Sequence, residues 1–173
     1  MARLPVLTHP DPVLRQVAVP VTELSPEILT LVEDMAETMY SDDGVGLAAP
    51  QVGASLRLIV CDPVPADEQG KDLLVLFNPK ITARAGELEW EEGCLSVPEV
   101  NGWVTRAERV TVTGLDVNFK PVTIEAEGLG AVCLQHEIDH LDGKLFFDRL
   151  GPIKRKLLLR DYTRLRQKAQ DPS

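Results

Sequence analysis

Two histidines one helical turn apart, with a glutamate between them, are the arrangement in this sequence best suited to chemistry. They lie in Gln135-His136-Glu137-Ile138-Asp139-His140. On a helix, residues four apart share a face, so both imidazoles can reach one metal ion. Glu137 directly follows the first histidine and stands beside such an ion without ligating it, where a base that takes a proton from water belongs. Leu129, Val132 and Cys133 continue the His136 stripe towards the helix start, so the same face extends as an apolar wall beside the metal. The bland alternative is a short coincidence at a charged helix end, with both rings satisfied by polar groups of the core. Against it stands the scarcity of histidine: of three in the chain, two share this one apolar face.

A hydrolytic metal commonly takes three protein ligands and keeps one position open. Of the three cysteines, Cys61 in LRLIVCD and Cys133 in AVCLQ sit in apolar runs, the usual setting of a buried free thiol. Cys94, in Glu92-Gly93-Cys94-Leu95-Ser96, has a polar, loop-like setting and is the candidate third ligand. Glu92 and Asp139 are both candidates to orient the ligand histidines from behind. A further segment, GVGLAAPQVG from Gly44 to Gly53, is built of small residues that let a backbone approach closely, and its Gln51 carries an amide donor. It is a poor phosphate cradle, because it lacks the Lys-Ser/Thr of a P-loop and follows no hydrophobic strand. A tight loop closing against the core is the alternative.

These residues must be positioned by the elements between them. Residues 1 to 24, with Pro5, Pro10, Pro12 and Pro20, read as an extended arm over the domain. Ser25-Pro26 is an N-cap followed by proline at the first helical position, and Ile28, Leu31, Val32, Met35, Ala36 and Met39 follow at helical spacing to about Tyr40. From Leu56 the pattern turns to β-prone runs: LRLIVCD, LLVLFNPKI and RVTVTGLDVNFKPVTIEAE. The last predicts a hairpin turning around Asp116 to Lys120, with Asn118 as the left-handed residue. A loop is expected through Asn101-Gly102. The histidine helix should run from about Gly128 to Leu141, stopped by Gly143, and Gly151-Pro152 should open a last helix to about Ala169. The expected fold class is α+β: mostly antiparallel strands around a central helix that carries the H-E-x-x-H motif, plus a C-terminal helix. Residues 1–150 form the catalytic domain, and 151–173 a basic helix and short tail of the same domain.

Composition narrows the function classes. Hydrophobic residues at 44% suffice for one core, and three cysteines make a poor disulfide framework, which favours a reducing compartment. Aromatics at 5% are too few for a platform that stacks single-stranded nucleic acid. The net charge of -9 conceals a basic tail, Lys154, Arg155, Lys156, Arg160, Arg164, Arg166 and Lys168, on an acidic body. Any polyanionic partner would meet that tail, whose bland reading is a solvated helix face. Neither a signal peptide nor a membrane span is expected, and the location expected is cytoplasmic.

Taken together, GVGLAAPQ (44–51), EGCLS (92–96) and QHEIDH (135–140) resemble the signature motifs of the peptide deformylases, in the same order. PDPVLR (10–15) and DHLDGKLFFDRL (139–150) are also similar, so the resemblance spans nearly the whole chain. It implies hydrolysis of the formyl group from the N-terminal formyl-methionine of newly made proteins, releasing formate. It implies Cys94, His136 and His140 as ligands of one divalent metal, Fe(II) in the cell with Zn(II) or Ni(II) in isolated protein. It also implies Glu137 as acid and base, and Gln51 with the Leu95 backbone N–H as oxyanion donors. The methionine side chain would then lie among Val45, Gly46, Leu129, Val132 and Cys133, closed by Trp90. Nascent polypeptides are the implied partners, and the basic helix is a candidate contact for ribosomal RNA. Two rivals carry different expectations. An H-E-x-x-H zinc endopeptidase would draw its third ligand from downstream, where Asp161 is the nearest acidic candidate. A non-catalytic ribosome-associated metal module would need a closed fourth ligand, and Glu137 is the one at hand.

Overall fold

Side-chain alternation along one short strand explains the layering of this molecule, a computed structural model that describes residues 2–170. The tail expected at 171–173 lies outside them. Ser25 caps helix α1 (Pro26–Ser41), its hydroxyl accepting the Ile28 N–H at 3.2 Å, and Val32, Met35 and Met39 face inward. Strands β1 (Gly46–Ala48), β2 (Leu58–Cys61) and β3 (Leu74–Ala85) follow. Then come the hairpins β4 (Leu88–Cys94) with β5 (Val97–Arg106), and β6 (Arg109–Leu115) with β7 (Pro121–Glu127). Helices α2 (Leu129–Leu141) and α3 (Pro152–Gln170) complete the chain.

One five-stranded antiparallel sheet has the order β1-β2-β3-β6-β7, and β4 and β5 form a separate ribbon. Successive strand residues point to opposite faces. In β2, Leu58 and Val60 join the core under α1, whereas Ile59 and Cys61 join the core under α2 with Leu134, Ile138 and Leu141. Both faces are therefore covered, which is why the run is apolar without alternation. A third cluster joins the ribbon's Val97 and Val104 to Phe146, Phe147 and to Leu158 and Tyr162 of α3. Among the described residues, no helix is long and apolar enough to cross a membrane.

The α+β architecture agrees with expectation, and three local readings are corrected. GVGLAAPQVG is not only a loop: Gly46–Ala48 pair with β2, and Ala49–Val52 form a 3-10 turn. Asn101 and Gly102 lie inside β5, with Gly102 opposite Glu92. The glycine marks close packing rather than a turn, because a Cβ there would sit 3.2–3.3 Å from Leu150 and Leu158. In the β6–β7 turn the left-handed residue is Phe119 (φ 63), not Asn118. The Asp116 carboxylate accepts the Asn118 and Lys120 N–H groups, and the Phe119 ring packs edge-on against Phe77 at 5.5 Å.

The arm does more than cover the surface. The Leu7 N–H donates to the Gln51 carbonyl at 2.7 Å and the His9 N–H to the Ser96 carbonyl at 2.8 Å. From α3, the Tyr162 hydroxyl donates to the His9 carbonyl and Arg166 to the Thr8 hydroxyl.

Candidate metal centre

Three elements converge on one point. Helix α2 presents His136 and His140 one turn apart, with ring centroids 5.0 Å from each other. Cys94 ends β4, and the turn Leu95-Ser96 reverses the chain into β5. The setting of Cys94 is thus a strand end rather than an open loop. Its Sγ lies 3.4 Å from His140 Nε2, and one ligand atom from each of Cys94, His136 and His140 falls within 4.8 Å of the others. A thiolate and an imidazole bound to a single tetrahedral ion stand about 3.5 Å apart. The Cys94–His140 spacing therefore suits a divalent transition metal, and His136 completes a donor set of matching chemistry. Asp161 is not near it: that carboxylate pairs with Arg164 at 3.6 Å on a half-exposed stretch of α3.

Behind the ligands runs a chain of charges. His136 Nδ1 lies 2.8 Å from Glu92 Oε1, which leaves Nε2 to face the other ligands. Glu92 in turn accepts two bonds from Arg106, at 2.7 and 2.9 Å, and Arg106 also donates to Asp139 at 2.6 Å. Arg149 closes the chain on Asp139 at 2.7 Å. Glu92 is thus the carboxylate that fixes the His136 ring, and Asp139 stands one step further back. Burial alone would raise the Glu92 carboxyl, but the bonds from Arg106 and His136 outweigh it and hold its pKa below the ordinary carboxylate value. Arg106 is 5% exposed, and a guanidinium at that depth is tolerable only because two carboxylates surround it.

Glu137 behaves differently. It points into the site without a charged partner, its Oε1 is buried with no hydrogen bond, and burial pushes its pKa up to about 7. A carboxyl so placed is poised to exchange a proton near neutrality. The backbone of β1 crosses directly over it: a Cβ on Gly46 would sit 2.5 Å from Glu137 Oε2 and 2.8 Å from Cys133 Sγ. Only glycine lets the strand pass this close.

Gln51 is 2% exposed and its amide is locked. Its Oε1 accepts the Ala48 N–H at 2.9 Å, so its Nε2 is turned towards Cys94 Sγ at 3.6 Å and Ser96 Oγ at 3.1 Å. A cavity of about 490 Å³ opens over the site. Val45, Gly46, Trp90, Leu95, Leu129, Val132 and Cys133 all line it together with Gln51, Cys94, His136 and Glu137, while His140 lies buried beneath. The residues singled out in sequence are thus gathered in one place. Sequence reasoning missed Ser96 and Arg106. Ser96 lies within the EGCLS motif itself; Arg106 lies outside the motifs and the runs read as strands, at a core-facing position of β5.

The comparisons with known proteins agree with this geometry. The family model described as polypeptide deformylase matches residues 3–156. A peptide deformylase of Syntrophobacter fumaroxidans is 52% identical over 162 residues, covering 94% of this chain and 95% of the relative. A crystal structure of a peptide deformylase from Legionella pneumophila superposes with a TM-score of 0.91 at 48% identity, over 98% of this chain and 99% of that one. The Synechococcus elongatus enzyme, solved in complex with actinonin, gives 0.87 at 42% identity, over 93% and 88%.

Proposed function

Because the chain belongs to the polypeptide deformylase family, a family of metal-dependent hydrolases that release formate from formyl-methionine at the N-terminus of new proteins, we propose a role for each residue of the site. Cys94, His136 and His140 hold the metal. A divalent ion there would supply Lewis acidity, polarising a carbonyl and making water a nucleophile near neutral pH. Glu137 takes the proton of the attacking water and delivers it to the leaving amine. The Gln51 amide and the Leu95 backbone N–H meet the developing oxyanion, and one such donor contributes about 3 kcal/mol to the transition state. Gln51 suits this task because its orientation is set before substrate arrives. The methionine side chain lies against Val45, Leu129, Val132 and Cys133, beside the Gly46 backbone and under Trp90. The observation that most supports this reading is the juxtaposition of Glu137, buried with an unpartnered oxygen, with three preassembled ligand atoms. In the cell the ion is Fe(II); the thiolate and two imidazoles also suit Zn(II) or Ni(II).

The test is formate release from a short formyl-methionyl peptide by protein prepared without oxygen, with its metal identified. Val132→Phe should raise KM by about tenfold with a smaller change in kcat, because the pocket loses volume where the side chain enters. An unchanged KM would remove Val132 from the pocket.

We further propose that the protein works in the cytoplasm and that α3 contacts ribosomal RNA. Lys156 and Arg160 are exposed on α3 away from Leu158 and Tyr162, which it buries. Substituting both by Glu should weaken co-sedimentation with ribosomes at low salt while leaving formate release from free peptides intact. Equal co-sedimentation would dismiss the contact. Residues 1–150 carry the chemistry and α3 belongs to the same domain, since its Leu158 and Tyr162 share a core with Val97 and Phe146.

A further inference from the structure

A second cavity, of about 470 Å³, lies between β5 and α3, and Glu99, Val100 and Asn101 line both it and the metal-centre cavity. The two therefore adjoin along that stretch of β5. Glu99, Asn101 and Trp103 alternate as the exposed positions of the strand, a single strip leading from one cavity to the next. Apolar groups flank the groove: Trp103 is 57% exposed and Leu157 45%, with Leu150 and Leu165 beside them. Gly102 keeps the floor low, since any side chain there would press on Leu150 and Leu158. An aromatic and a leucine held open to water beside Leu150 and Leu165, within a polar rim, suit an apolar side chain of a bound chain. The rim bears Glu99 and Asp161 as well as Lys154 and Arg164, so its charges balance and it does not suit a polyanion.

We propose that this groove receives the downstream part of the substrate polypeptide, seating an apolar side chain about three residues beyond the formyl-methionine against Trp103 and Leu157. The inference rests on the deformylase reading of the metal centre. The stretch of β5 that lines both cavities carries it. Val97 pairs with Cys94 and Trp103 with Glu91, three residues back along β4, so Trp103 lies about 10 Å further along the ribbon, a span that about three extended residues cover. A polypeptide whose first residue is buried at the metal centre must leave over the cavity rim. Along Glu99–Asn101 it meets a second apolar surface before reaching open solvent. The groove thus makes a long substrate bind better than a short one, with a preference for apolar character at a distance from the scissile bond.

The experiment compares formate release from three substrates: a formyl-methionyl tripeptide, a ten-residue peptide with Gly and Ser beyond the third position, and the same peptide with Phe at the fourth. The Phe peptide should show a KM about fivefold to tenfold below the Gly/Ser peptide with similar kcat. Trp103→Ala and Leu157→Ser should each bring the ratio of the two KM values close to one. A photoreactive phenylalanine analogue at the same position should crosslink to β5 or α3. Equal KM values for the two long peptides in the unmodified protein would overturn the inference, as would a ratio untouched by both substitutions. A concentration-dependent dimer that disappears in Trp103→Ala would also overturn it, assigning the groove to a second copy of the chain. Failure to release formate from any of the three peptides is a different result, and strikes the deformylase reading itself.

Discussion

Glu137→Gln should lower kcat for formate release by about 10²–10⁴-fold while the protein retains its metal and its KM for formyl-methionyl peptides. The substitution keeps the shape of the side chain and removes its ability to accept a proton. Because Glu137 is not among the three ligand atoms brought together at the site, metal content should not fall. A loss of less than about tenfold would show that another group manages the proton. A second consequence concerns stability of the metal-free protein. Burial raises the Glu137 pKa in the fold to about 7 from an ordinary carboxyl value. The folded state then holds a proton that the unfolded chain has released, so stability present at low pH is lost as pH rises towards and through 7. The shift corresponds to about 3 kcal/mol. Glutamine has no proton to lose. Without metal, the variant should therefore gain in melting temperature over the parent between about pH 5 and pH 8, with the gap widest at the alkaline end. Parallel melting curves across that range would contradict the buried, proton-holding state.

Cys94→Ala should abolish activity by a different route. Two imidazoles remain on α2, but the tripod loses its one anionic donor, and affinity for the metal should fall by about 10²-fold or more. Equilibrium dialysis would read the loss directly, and restoring excess metal should not restore turnover. The same substitution judges the endopeptidase alternative, which would keep its metal through Asp161. That residue sits on α3 with Arg164 as its partner, away from the imidazoles, so the expected result is loss of the metal. Metal retained at parental affinity would revive the alternative.

Much of this architecture can be read before any coordinates are seen, and what cannot has physical causes. Helix α1 is legible because its start is written chemically: a serine cap, a proline at the first turn and a stripe of regular spacing. Helix α2 is legible for another reason, since the same residues that make its face apolar lead directly to the histidines. Asn101-Gly102 misleads because glycine has two uses, turning a chain and admitting a neighbour, and only packing against Leu150 and Leu158 tells them apart. Phe119 misleads because its left-handed backbone is supported from a distance, by Phe77, rather than by its own side chain. At the site, residues that would touch metal or substrate are recognisable by type and spacing. Arg106 is not, because its task is to hold Glu92, and that pairing exists only once β4 and β5 lie side by side.

The amino-terminal arm works as a spacer between two walls. Within three residues it is fastened to the Gln51 backbone on one side and to the Ser96 backbone on the other. Those two attachment points belong to the separate segments from which the oxyanion donors are proposed to come. Their separation is therefore gauged by a stretch of chain that never enters the cavity. A fusion or tag that tugs on this stretch would load both walls at once, and the damage would register as lost turnover in a protein whose every reactive group is intact.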